Sequence, residues 1–200
     1  MHLVAMPTAA EPSPPRELDG ATLAAAQRGE RWAWRVLVET YQGRVHALAF
    51  RMLAGAGRCG LAEDLVQDAF VRVFGALPRF DAAGPARLST WILGISARAV
   101  VDELRRRRPP EAPLCLVEER PAAGERPDER SERASTGRAI ARAVGTLSPE
   151  VRAAFVLRAY HELSYLEIAR ELEIEVGTVK SRLWRAKDAL RAHLHLEEEA

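Results

Sequence analysis

Lysine is almost missing from this chain. Only Lys180 and Lys187 occur, and the other 27 of its 29 basic residues are arginine. Cysteine is equally scarce. Cys59 and Cys115 stand alone, without a CxxC pair or a Cys/His cluster, which excludes a zinc motif and a disulfide framework and predicts two free thiols in a reducing compartment. Histidines 2, 46, 161, 193 and 195 are scattered, so no metal site is expected. There is no nucleophile–base pairing and no Gly-rich phosphate loop, so neither a catalytic residue nor a cofactor is expected, and the chain does not read as an enzyme with a small-molecule substrate. No apolar run approaches the ~20 residues of a membrane span, and MHLVAM gives way at once to proline and polar residues, so direct membrane insertion is not expected and the location reads as cytoplasmic.

What is present is charge laid out in blocks. A formal net charge of +1 conceals residues 31–108, with 13 Arg against 7 acids, and residues 109–137, with 4 Arg against 7 acids. Hydrophobic residues make up 48%, enough for cores across 200 residues. Helical periodicity runs through most of the chain and no alternating strand pattern interrupts it. The fold class is therefore all-α, with two small helical domains joined by a flexible linker. The proline-rich residues 1–20 read as a disordered tail, 21–108 as the first domain, 109–136 as an acidic Pro-rich linker, 137–196 as the second domain and 197–200 as an acidic tail.

Local signals fix the second domain. Ser148 before Pro149 marks a helix start, because proline at the first helical position has no N–H to leave unbonded. Ser164 with Glu167 three residues on forms a capping box for a short helix from 165 to about 172, and a third helix begins near 175. Helix, tight turn and longer helix make a helix-turn-helix, whose second helix enters the DNA major groove. On that helix Val176, Val179, Leu183, Ala186 and Leu190 share one side. Thr178, Ser181, Trp184 and Arg185 fall opposite, with Lys180 and Arg182 at the margins. In the first domain, Leu65, Val66, Ala69, Phe70 and Val73 form a buried stripe, whereas Asp64, Gln67, Asp68 and Val71 share another face. Ser89 reads as the N-cap of the next helix, and residues 105–108 place four arginines at that helix's C-terminal end, where they favour the macrodipole and can hold phosphate.

EIARELEIEVGTVKSRLWRAKDAL resembles the region 4 helix-turn-helix of sigma-70 family factors, and alone it is also similar to a LuxR-type regulator. LAEDLVQDAFVRVF resembles sigma region 2.2, and LSTWILGISARAVVDELRRRR resembles regions 2.3 and 2.4. With no region 3 between them, the layout is similar to the extracytoplasmic function (ECF) group. The resemblance implies an initiation factor that binds core RNA polymerase, through the β′ coiled coil and the β flap, and directs it to promoter DNA under the control of an anti-sigma factor. Carried over, Asp64, Gln67, Asp68 and Val71 would bind polymerase. Arg79, Phe80, Arg87, Ser89, Thr90, Trp91, Arg98, Arg105 and Arg106 would act at the −10 element, with an extruded base held in the loop 78–87. Thr178, Lys180, Ser181, Arg182, Trp184 and Arg185 would read the −35 element. The chain departs from the family pattern at Asp68 (usually Glu), Leu88 (commonly Phe), Arg98 (commonly Asn), Glu173 (usually Gly) and Glu175 (usually Pro). The alternatives are a helix-turn-helix regulator that acts without polymerase and an interaction module that docks partners without reading DNA.

Overall fold

The computed structural model describes residues 17–54, 56–106, 137 and 139–198, with side chains through 192, and among these there is no strand. The first half comprises α1 (Gly20–Gln27), α2 (Arg31–Ala54), α3 (Ala62–Ala76) and α4 (Leu88–Arg105). After a helical stretch at 139–145, the second half comprises α5 (Pro149–Ala159), α6 (Tyr165–Glu171) and α7 (Val176–Glu198). Most of the expected tail, and the whole of the expected linker 109–136, lie outside the described residues.

The tail ends earlier than expected. Asp19 N-caps α1 by accepting from the Thr22 N–H at 2.9 Å and the Thr22 hydroxyl at 2.6 Å. Glu17 accepts from the Tyr41 hydroxyl at 3.1 Å and from the Ser89 hydroxyl. At the other end α7 runs to Glu198, two residues past the expected boundary.

Two clusters hold the helices together. One gathers Leu37, Tyr41 and Val45 of α2, Phe70 and Val73 of α3, and Ile92 of α4, with Trp34 stacked on Phe74 at 4.5 Å between centroids. The other crosses the chain. It joins Leu48, Met52 and Leu53 of α2 and Leu93, Ala97 and Val101 of α4 to Ala154 and Leu157 of α5, Ile168 of α6 and Val179 of α7. The two domains read from the sequence are thus docked face to face over a common apolar layer.

Arg152 bridges that junction although it is only 4% exposed. Its guanidinium donates to the Met52 carbonyl at 2.7 Å, at the end of α2, and to the Gly145 and Leu147 carbonyls at 2.6 and 3.0 Å in its own half. Burial pushes its pKa down to about 10, so three carbonyl acceptors replace its lost water. Arg58, in the turn after α2, donates to the Glu103 and Arg106 carbonyls at the C-terminal end of α4, where a cation also favours the helix dipole.

The expectation of free thiols is corrected at one position. Cys59 is disulfide-bonded, and the chain's only other cysteine, Cys115, lies outside the described residues. Isolation in sequence carries no information on spatial pairing, which is why spacing alone misses it.

Candidate nucleic-acid interface

The helix-turn-helix is built from local chemistry. Ser148 caps α5, accepting from the Val151 N–H at 3.4 Å. Ser164 and Glu167 make the reciprocal capping box on α6, with bonds of 3.2 and 2.7 Å. The turn that follows needs one residue in left-handed conformation, and Glu173 supplies it at φ 56°. Glu162 does the same at φ 58° before α6, a strained position that the sequence reading did not single out. The Glu175 carbonyl accepts from the Thr178 and Val179 N–H groups and so opens α7.

On α7 the inward side is Val179 and Ala186, both buried, with Val176 and Leu183 partly buried beside them. The outward side carries Lys180, Ser181, Trp184 and Arg185, all exposed, with Thr178 and Arg182 partly buried at its edges. Trp184 is 66% exposed, a large apolar surface to leave in water and one that would be covered on binding. Arg185 folds back on its own helix, donating to the Ser181 carbonyl at 3.3 Å. All six expected −35 residues therefore lie on one strip of a single helix.

The −10 candidates divide. Arg79 and Arg87 are exposed, and Phe80 packs against Trp91 at 4.9 Å between centroids. Gln27 of α1 holds the chain below Phe80 by donating to the Leu77 and Phe80 carbonyls at 3.2 and 2.8 Å. Between this loop and the segment before α1 lies a cavity of about 260 Å³, lined by Glu17, Leu18, Phe80, Gly84, Arg87 and Leu88 among others. Glu17 is a pocket residue that the sequence reading missed, because it was assigned to the tail.

Ser89 and Thr90 are corrections. The N-cap of α4 is Arg87, not Ser89. Ser89 lies inside the first turn, buried, with its hydroxyl donating to Glu17, and Thr90 is buried as well. Neither side chain is presented to DNA in this arrangement. The arginines further along α4 are engaged within the chain. Arg98 donates through Nη1 to the Glu171 carbonyl and lies 3.3 Å from the Glu173 carboxylate. Arg105 pairs with Glu150 at 2.8 Å, Arg106 pairs with Glu103 at 2.9 Å, and Arg107 and Arg108 lie outside the described residues.

A third surface lies on α3. Leu65, Ala69, Phe70 and Val73 are buried as expected and Val66 is partly buried, leaving Asp64, Gln67, Asp68 and Val71 exposed together. Val71 is 69% exposed, one turn on from Asp68. An exposed apolar residue on the same face as two carboxylates is the composition of a surface that meets a basic partner with an apolar centre.

One helix turns lysine and arginine outward in a helix-turn-helix, another shows an acidic exposed face, and the two halves share an apolar layer. Residues 37–109 match the family described as Sigma-70 region 2, and residues 137–190 match Sigma-70, region 4. Among its relatives, the ECF RNA polymerase sigma-E factor of Escherichia coli K12 is 31% identical over 173 residues, covering 82% of this chain and 87% of that protein. The ECF sigma factor SigW of Bacillus subtilis is 29% identical over 177 residues, covering 84% of this chain and 92% of that protein. The solved structure of CnrH in complex with the cytosolic domain of CnrY is 26% identical, covers 88% of this chain and 96% of that one, and superposes with a TM-score of 0.60. The chain belongs to the ECF group of sigma-70 family RNA polymerase sigma factors. Among the described residues no helix is long and apolar enough to cross a membrane.

Proposed function

We infer that this chain is a transcription initiation factor which binds core RNA polymerase through the acidic face of α3 and guides it to promoters, reading the −35 element with α7 and the −10 element with the loop before α4. The observation that carries the reading is the outward strip of α7. Its amine, hydroxyl, indole and guanidinium groups are the donors that phosphates and base edges accept from, and they occupy one face of a helix already seated in a helix-turn-helix. In the same reading the cavity beside Phe80 and Arg87 receives a base of the opened −10 element, with Glu17 as an acceptor facing it. An anti-sigma protein is the expected counterpart, and the cytoplasm is where polymerase and promoter are met. No residue is assigned a catalytic role.

Run-off transcription with core polymerase on genomic fragments tests this. Initiation at discrete starts that depend on the added chain is expected. Tight, specific binding to a duplex by the chain alone, with no initiation when core polymerase is supplied, would favour the polymerase-independent regulator instead.

A further inference from the structure

The cavity between the loop 78–87 and the segment before α1 has mostly apolar walls, Leu18, Phe80 and Leu88 among them. Of the side chains lining it, only Glu17 and Arg87 carry polar atoms, and both are exposed. Glu17 is fixed in place by its neighbours. The Tyr41 hydroxyl donates to Oε2 at 3.1 Å, the Ser89 N–H donates to Oε2 at 3.3 Å, and the Ser89 hydroxyl donates to Oε1. The Leu18 N–H donates in turn to the Tyr41 hydroxyl at 3.2 Å, so the backbone beside Glu17 is held by the same group. A carboxylate offers about four lone-pair positions on its two oxygens. Those of Oε2 are both filled here, whereas Oε1 has one filled and one open. The carboxylate is therefore aimed by the fold and still has an acceptor to offer.

We propose that Glu17 is a specificity-determining residue: the open position on Oε1 accepts from the exocyclic amine of the base that the cavity receives, which selects cytosine or adenine over thymine and guanine. The inference rests on the promoter reading above and adds to it the chemical class of the base. A base taken out of the stack presents its pairing edge, and the group at one corner of that edge divides the four bases. Cytosine N4 and adenine N6 are amines that donate, whereas thymine O4 and guanine O6 are carbonyl oxygens that only accept. A carboxylate has no proton to give, so either carbonyl would set lone pairs against lone pairs. Guanine could reach a carboxylate through its N1–H and N2 amine together, but that fork needs both oxygens, and Oε2 is occupied. Arg87 on the same cavity supplies the donor that the ring nitrogen beside the amine, or a flanking phosphate, accepts from. Phe80, packed on Trp91, offers a ring for stacking that any base can use, so choice among bases falls to the polar groups. Losing one hydrogen bond to a charged group costs about tenfold or more in binding.

Run-off transcription by the full chain with core polymerase, on a promoter library randomised across the −10 element, reads the preference. At one −10 position the wild type is expected to start from cytosine or adenine at least about tenfold more often than from thymine or guanine. Glu17→Gln can turn an amide N–H toward the base, so at that position alone the contrast is expected to vanish or reverse, with the rest of the −10 profile unchanged. A second measurement leaves the wild-type protein intact and removes only the amine, with 2-pyrimidinone in place of cytosine or purine in place of adenine. That change is expected to cost the wild type about tenfold in initiation and Glu17→Ala less than about twofold. If Glu17 merely propped Ser89 and Tyr41, Glu17→Ala would lower initiation from every template alike and keep the full analogue penalty. The assignment is overturned if the wild type shows no such contrast at any −10 position, if the contrast survives Glu17→Gln, or if the analogue penalty is equal in both proteins. If no template initiates, or initiation depends on no −10 base at all, the promoter reading itself falls and the assignment falls with it.

Discussion

The two helices that carry most of the proposed DNA-binding residues stand in opposite conditions. α7 turns its strip of Lys180, Ser181, Trp184 and Arg185 to solvent, whereas α4 has its first turn buried and its arginines bonded to Glu171, Glu173, Glu150 and Glu103. The same kinds of side chain are thus free on one helix and occupied on the other. The difference arises from position. α7 is the outermost helix of its half and touches the junction only through its inner side, while α4 lies in the middle of the first half and is where the second half docks. Identity of residue type tells what a helix can bind, and packing tells when it can.

The sharpest way to separate the open surfaces from the covered one is to damage an open surface remote from the junction. Asp64→Arg with Asp68→Arg places like charge against a basic partner, so core polymerase binding should be lost by several kcal/mol, while both side chains are exposed and stability should move by only about 0.5 kcal/mol. Co-purification with core polymerase, beside a melting curve, checks both halves of that statement. A smaller effect belongs to the junction. Arg152→Ala leaves the Met52, Gly145 and Leu147 carbonyls without their donor and should cost on the order of 3 kcal/mol in chemical denaturation.

On α7 itself, Arg185→Ala should cost about 1–3 kcal/mol on the preferred −35 element and relax its base preference, since Arg185 sits near the centre of the outward strip. Lys187, exposed but near the edge of the buried stripe, should at most touch backbone, so Lys187→Ala should weaken all promoters alike and flatten the salt dependence. A promoter library randomised at −35 and transcribed at two salt concentrations distinguishes the two. If Lys187→Ala reshapes the base profile and Arg185→Ala does not, α7 has been oriented wrongly.

The smallest effect is acid sensitivity of the docked arrangement. His161 is pushed down to about 3, first by burial and then by repulsion from Arg44 and Arg51 of α2, and its Nε2 is sealed from solvent without a partner. Its neutral form is the one the docked state accepts. The stability that depends on it is whole above the ordinary histidine value near 6.5 and is lost progressively as pH falls toward 3, amounting to about 1 kcal/mol by pH 5.5. Glu171 works the other way, because burial raises its pKa and protonation favours the docked state. Scattering from pH 7.5 to 5 should show acid-driven expansion that is steeper in Glu171→Gln and flatter in His161→Gln.

Much of the second half was legible in the sequence because its signals are local. Ser148 with Pro149 and the Ser164–Glu167 box each depend on residues within a few positions, and the 3.6-residue period sorts α3 and α7 into inner and outer sides. What escaped reading is what the chain brings together from afar. Arg98 meets Glu171 across 73 residues, Glu17 meets Ser89 across 72, and Arg152 meets Met52 across 100. Ser89 and Thr90 have the composition of a helix cap and of DNA contacts, and only the arrival of Glu17 and the packing of α4 bury them. Arg98 and its partner Glu173 each stand out in the sequence as a departure from the family pattern, but nothing in one dimension joins the two.

Energy transfer between dyes placed at Gly43 and Leu166 most directly tests the claim that the halves are docked in the free factor and apart at work; a side chain at Gly43 meets nothing within 4 Å, and Leu166 is exposed. The free chain should give a single high-transfer population, which collapses to low transfer when core polymerase and promoter DNA are added together. The same transfer efficiency in the free and promoter-bound states would contradict the account.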